Sequence, residues 1–155
     1  MKFIPLPIFG AYLIELESYV DDRGYFTRTF CEKEFEEHGL VNNFIQVSTA
    51  FNRNKGQIRG MHYQTAPYEE TKVVRCMRGA IYDVMIDLRP ESPTYNKWYG
   101  EILSEDNKKM FYIPKGLAHG YKTLQDNTEL LYMMDQIYVK EAARSINHEN
   151  WGIFS

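Results

Sequence analysis

Two cysteines, Cys31 and Cys76, are all that the 155 residues contain. They stand far apart and form no spaced pair, so neither a structural zinc site nor a disulfide framework is expected. Long apolar runs are missing as well: nothing approaches the roughly 18 consecutive apolar residues of a membrane span. The apolar opening, residues 1–14, is interrupted by Pro5 and Pro7, and no small-residue cleavage pattern follows it. It reads as the lead-in to a strand, and the expected location is the cytoplasm with no membrane partner. Positive charge is not in excess, since Lys and Arg number 18 against 21 Asp and Glu, for a net charge of -3. No basic stripe is present, which argues against nucleic acid as a partner while leaving room for a local basic pocket that takes a phosphate. There is no internal repeat, no low-complexity run and no strand–helix alternation, so a doubly wound parallel fold is not expected.

What the chain does have is apolar and aromatic mass. Hydrophobic residues make up 44% and charged residues 25%, enough to bury a core in a single domain spanning residues 1–155. Aromatics reach 15%, with twelve Tyr and nine Phe, and such side chains fit a pleated surface. Strands are read at residues 12–17, 25–30, 43–51, 57–64, 71–78, 80–88, 97–103, 109–113, 117–124 and 129–138. In the strand over 43–51, period two places Phe44, Gln46, Ser48 and Ala50 on one face. Residues 21–24 read as a turn, 52–56 as a hairpin-type loop, and Gly79 as the pinch of a hairpin between the 71–78 and 80–88 strands. One short helix is read at residues 32–38, acidic at its start, with His38 suited to its last turn. Roughly ten short strands at 8–12-residue spacing point to an all-β sandwich or barrel. The specific expectation is a double-stranded β-helix, or jelly roll, with one or two short helices.

Chemistry concentrates around residues 57–64, Gln-Ile-Arg-Gly-Met-His-Tyr-Gln, where a guanidinium, a glycine and an imidazole fall within four residues. Histidine is the side chain most readily poised as a general base near neutral pH. Gly56, five residues and His62 match one half of the two-part pattern seen in cupins, and Pro114-Lys115-Gly116-Leu117-Ala118-His119 matches the other. In metal-binding cupins the first half supplies His-x-His and a nearby Glu. Here Gln64 stands at the second position, leaving His62, His119 and Glu69 or Glu70 as an incomplete set; no metal is expected. Two histidines in matching halves of a barrel point instead to acid–base work. Strict alternation puts Arg59 on the face opposite His62, unless Gly60 sits in a bulge that re-aims one of the two.

Taken together, Asp22-Arg23-Gly24-Tyr25-Phe26, Gln46, Arg59 to Gln64, Lys72-Val73-Val74-Arg75, Tyr82 to Arg89, Ser92-Pro93-Thr94, Leu103-Ser104, Asn107, Ile113-Pro114 to His119-Gly120, Leu131-Tyr132 and Tyr138 cover most of the chain. In order and spacing they resemble the dTDP-4-dehydrorhamnose 3,5-epimerase family. The resemblance implies cofactor-free epimerisation at C3, C5 or both of a nucleotide-linked 4-keto-6-deoxy sugar. Each of these carbons lies next to the C4 ketone, which acidifies its proton. Such a site needs a base, an oxyanion partner and an acid on the far side. By motif, the resemblance makes His62 the base, Lys72 the partner of the developing enolate and Tyr132 the acid. His119 and Asp83 shape the pocket. Arg23 and Arg59, with Lys72 as a further candidate, face the pyrophosphate, for which the guanidinium fork is suited. Gln46 and Ser48 fall in the substrate region, and Phe26 and Tyr138 match positions that pack on the nucleotide base. The family implies a homodimer with shared sites, so that Arg23 and Phe26 serve the neighbouring subunit's pocket.

Some positions depart from the family pattern. Ser48 and Ala50 stand where the family usually has Asn and Ser, and Met133 where it has Lys. Typical members run on beyond the position of Ser155, and that tail carries the Asp that orients the base histidine. Either Asp83 or another group takes this role, or the base is weaker, or the chain is cut short. The departures are compatible with inversion at one carbon and with dTDP, GDP or CDP as the nucleotide. Two other readings compete: a non-catalytic nucleotide-sugar binding module on the same scaffold, and a metal-dependent cupin.

Overall fold

A computed structural model describes residues 1–154. Its logic is alternation between two antiparallel sheets, because strands this rich in inward-facing Val, Ile and aromatic side chains need a second sheet to cover them. The chain runs β1 (Lys2–Pro5), β2 (Tyr12–Glu15), β3 (Ser18–Asp21), β4 (Gly24–Thr27), α1 (Glu32–Glu37), β5 (Gln46–Asn52), β6 (Ile58–Gln64), β7 (Lys72–Arg78), β8 (Ala80–Asp87), β9 (Trp98–Ser104), β10 (Lys109–Ile113), β11 (Leu117–Thr123), β12 (Thr128–Met134) and β13 (Ala143–Ser145). A six-stranded sheet has the order β1-β2-β10-β7-β12-β5, a five-stranded sheet the order β13-β6-β11-β8-β9, and β3 pairs with β4 as a separate hairpin. This is the expected jelly roll, with one α-helix and 3-10 turns at Lys140–Ala142 and His148–Trp151.

The core lies between the sheets. Val74, Phe111 and Leu130 of the six-stranded sheet meet Ile81, Met85 and Leu103 of the other, all at 0% exposure. Each outer face has its own cover. Phe35 of α1 closes over Ile14, Val73 and Met110, and a fully buried Phe contributes about 1.5–3 kcal/mol relative to an exposed one. Ile153, near the C-terminus, lies against Met61, Val84, Ile86 and Ala118 of the five-stranded sheet. The helix begins with Glu32 and Glu34 in its first turn, the favourable end for acids. The His38 ring at its end stacks on Phe3 with centroids 4.0 Å apart, and its Nδ1 lies 2.8 Å from the Glu34 carbonyl oxygen.

Two expected hairpins do not form. β5 and β6 belong to different sheets, as do β7 and β8. The single residue Gly79, at φ +80°, is too short a link to fold one strand back along the other. It carries the chain from one sheet across to the next. Phe44 also departs from its expected face: it precedes β5 and packs edge-on against Phe30 and Phe35 over the outer face of the six-stranded sheet. β12 ends at Met134, so Tyr138 lies beyond the strand.

The conflict between Arg59 and His62 is resolved by a bulge. His62 pairs with His119 and Arg59 with Tyr121, so three steps on β6 match two on β11. Gly60, at φ +109°, takes up the extra residue. A Cβ at this position would lie 2.6 Å from both the Gly120 Cα and the His119 carbonyl oxygen. Gly60→Ala therefore combines an unfavourable φ with a backbone clash, and should lower stability by about 3 kcal/mol. An unchanged urea midpoint for this variant would contradict the account.

Candidate active site

At one end of the sandwich, the inner faces of β5, β12 and β7 confront those of β6 and β11 across a cavity of about 370 Å³. Period two delivers the groups. Gln46, Ser48 and Ala50 project from β5, Tyr132 and Met134 from β12, and Lys72 from β7, while Arg59, His62, His119 and Tyr121 come from the opposite sheet. Tyr138 closes the rim beyond β12. His62, Glu70 and Tyr138 also border a second cavity of about 430 Å³, whose far wall includes Arg144 and Ser145 of β13.

Most side chains here are held by specific partners. Asp83, fully buried on β8, accepts from His119 Nε2 at 2.7 Å. Burial pushes the Asp83 carboxyl up, opposed by the adjacent imidazole. Its second oxygen, Oδ2, is buried with no partner among the described residues. Arg59 donates from Nε to Asn52 Oδ1 at 2.8 Å and from Nη2 to the Phe51 carbonyl at 3.1 Å. Asn52 in turn donates to the Tyr121 hydroxyl at 3.1 Å. The arginine is thus clamped along one edge, leaving Nη1 available for a ligand. Lys72, only 9% exposed, sits 3.3 Å from Glu70 Oε1. Gln46 Oε1 accepts the Tyr138 backbone N–H at 2.8 Å, fixing the rim.

The electrostatics favour a neutral imidazole and a protonated phenol. Partial desolvation, then the charges of Lys72, His119 and Arg59, hold His62 below the ordinary imidazole range. Burial, and then the Tyr121 hydroxyl beside it, push Tyr132 far above the ordinary phenol range, so it keeps its proton. Lys72 lines the same cavity as this imidazole and phenol.

Of the residues expected from sequence, His62, Lys72, Tyr132, His119, Gln46, Ser48, Arg59 and Tyr138 line this one cavity, with Asp83 directly behind His119. One expectation is corrected. Asp83 does not orient His62, because its hydrogen bond goes to His119; the partner of His62 Nδ1 is the Ser145 hydroxyl at 3.1 Å. Within one chain, Arg23 and Phe26 do not reach the cavity. They stand on the β3–β4 hairpin, where Arg23 is paired with Asp21 at 2.6 Å. Gln64 is spent structurally, donating to the Tyr68 and Ile137 carbonyls and accepting from the Val139 N–H. Among the described residues no three His, Cys, Asp or Glu side chains converge as a metal set would.

Sequence reasoning passed over Asn52, Glu70 as the partner of Lys72, Tyr121 and Ser145. The first two carried a signal: Asn52 continues the Gln46, Ser48, Ala50 alternation, and Glu70 stands two residues before Lys72. Ser145 carried none, since it meets His62 across a separation of 83 residues.

The family model for dTDP-4-dehydrorhamnose 3,5-epimerase matches residues 5–153. The chain belongs to the dTDP-4-dehydrorhamnose 3,5-epimerase family. It is 40% identical to the enzyme of that name from Shigella flexneri over 94% of this chain and 81% of the relative. The crystal structure of the Bacillus anthracis enzyme with TDP and PPi bound superposes with a TM-score of 0.91 at 39% identity, over 94% of this chain and 83% of that one. The Legionella pneumophila dTDP-6-deoxy-D-glucose-3,5-epimerase, in complex with dTDP-4-keto-L-rhamnose, superposes at 0.92 with 35% identity, over 99% and 81%. No helix among the described residues is long and apolar enough to cross a membrane.

Within this family member the buried His119–Asp83 pair is a structural demand as well as a chemical feature. Asp83→Ala strips the imidazole of its partner inside the core and should destabilise the fold by about 3–5 kcal/mol. Thermal or urea unfolding checks this; a loss below about 1 kcal/mol would mean that the pair is not needed for folding.

Proposed function

We propose that the protein is an isomerase that inverts C3 and C5 of a dTDP-linked 4-keto-6-deoxy sugar by removing and returning protons beside the C4 ketone. The observation that carries this is the opposition of base and acid. His62 belongs to the five-stranded sheet and Tyr132 to the six-stranded sheet, so they face the cavity from opposite walls. Inversion requires such an arrangement, because a proton taken from one face must be replaced from the other.

In this reading His62 Nε2 takes the proton from carbon, and the electron pair moves onto the ketone oxygen. The Lys72 ammonium stabilises the enolate oxygen. Tyr132 then delivers its proton to the opposite face; an enolate carbon is basic enough to take it even from a phenol whose pKa is raised. The free edge of Arg59 receives a phosphate oxygen, and the Tyr138 ring, 64% exposed at the rim, offers a surface for the base. A nucleotide-sugar substrate places this work in the cytoplasm. The same groups favour catalysis over simple binding: a binder has no need for a desolvated lysine, a neutral imidazole and a protonated phenol around one cavity.

Proton exchange in deuterated water, followed by NMR with dTDP-4-keto-6-deoxyglucose, tests the mechanism. Deuterium should enter both C3 and C5. His62→Asn should slow entry at least about 100-fold. Tyr132→Phe should still exchange but no longer invert, since it retains the base and lacks the opposite-face acid. Binding without exchange by the unaltered protein would favour the binding module, and exchange at C3 alone would restrict the reaction to one centre.

The reading extends to a homodimer with shared sites. The β3–β4 hairpin leaves Tyr19, Val20 and Phe26 between 72% and 78% exposed, an apolar finger. If it completes a neighbour's site, mixing Arg23→Ala and His62→Asn subunits should recover about a quarter of the native activity, because random pairing rebuilds one intact site per mixed dimer. Recovery at background level after subunit exchange would show that each site is built from one chain.

A further inference from the structure

We propose that Tyr121 is a positioning residue for Tyr132: its hydroxyl turns to donate a hydrogen bond to the Tyr132 oxygen as that residue gives up its proton. The inference rests on the reading of Tyr132 as the acid. Tyr121, 1% exposed, belongs to β11, and Tyr132 to β12 of the facing sheet. Both line the cavity, and both rings flank His119, with centroids 6.3 Å and 6.0 Å from that of the imidazole. Tyr132 packs against the core cluster that holds Tyr121, and the two hydroxyls lie side by side.

Asn52 holds the Tyr121 oxygen in place. Its Nδ2 donates to that oxygen at 3.1 Å, and the Tyr121 hydroxyl reaches Asn52 Oδ1 as a donor at 3.3 Å. The amide is itself fixed at both ends: Arg59 Nε donates to Oδ1 at 2.8 Å, and Nδ2 also donates to the Thr128 carbonyl at 3.2 Å. At rest the Tyr121 proton points at Oδ1, and Tyr132 keeps its own. Once Tyr132 has passed its proton to carbon, a buried phenolate remains, and such an anion is costly without a donor. Rotation about the Tyr121 C–O bond brings its proton there. The move strands nothing, because Oδ1 keeps Arg59 and the Tyr121 oxygen keeps the bond from Nδ2. Tyr121 breaks no covalent bond and retains its proton throughout. A donor set in advance acts most strongly in a desolvated site, where no solvent has to reorganise. The charge of Arg59 works in the same direction on Tyr132.

The test is Tyr121→Phe in the full chain, with deuterium entry and inversion followed separately by NMR. The variant should fold, since Asn52 retains Arg59 and Thr128 as partners. Inversion should slow about 10- to 100-fold, the loss expected for one hydrogen bond to a charged oxygen. KM should stay within about twofold, and deuterium should still enter from the face of His62 within about threefold of the native rate, because the base is untouched. A merely structural role would lower exchange and inversion together, and that result would overturn the proposal, as would inversion at the native rate. Tyr132→Phe separates this from failure of the acid reading. If that variant inverted at the native rate, Tyr132 would not be the acid and the proposal would fall with it. If it lost inversion while Tyr121→Phe kept it, the role of Tyr121 alone would be overturned.

Discussion

The site depends on the close approach of two glycine backbones, Gly60 on β6 and Gly120 on β11. Each lacks a Cβ where one would strike the other strand: at Gly60 it would meet the His119 carbonyl, and at Gly120 it would come within 2.7 Å of the Arg59 carbonyl. Because the strands can touch there, β6 accommodates one extra residue, and the alternation of its side chains is reset. Arg59 and His62, three apart, then look into the same cavity. Without the reset, the Arg59 guanidinium and the His62 imidazole would point to opposite sides of the sheet. The clamp on Arg59 by Asn52 and the contact of His62 with Ser145 both follow from this one irregularity.

Partial desolvation first, and then the positive charges of Lys72, His119 and Arg59, hold His62 below the ordinary imidazole range. Glu70 balances Lys72 alone, and Asp83 balances His119 from within the core. Positive side chains thus dominate the cavity, with Glu70 at its wall paired to Lys72 and Asp83 set behind His119. On the opposite wall, desolvation pushes Tyr132 far above the ordinary phenol range, so it keeps its proton.

The fold class was legible because many short aromatic-rich segments at regular spacing have few alternatives to a two-sheet architecture. Most of the cavity was legible as well: motif order identified His62, Lys72, His119 and Tyr132, and period two placed Gln46 and Ser48. Pairing was less so. Strand neighbours depend on contacts across the chain, and the one-residue link at Gly79 looks like a hairpin until the two sheets are built. Phe44 showed the same limit, since alternation cannot say where a strand begins.

By itself the sequence determined which local conformations were available and which chemistry was on offer: extended aromatic strands, one short helix, glycines where backbones must come close, and an imidazole, an ammonium and a phenol in a family's order. These follow from side-chain size, branching and ionisation, which are properties of each residue. Only the tertiary structure decided which groups meet. It set Asp83 against His119 and gave His62 the hydroxyl of Ser145, 83 residues away. The reason is that a β-sandwich brings distant segments together through sheet registers. A register is settled by the burial of both faces across the whole molecule, and no single stretch of chain contains that information.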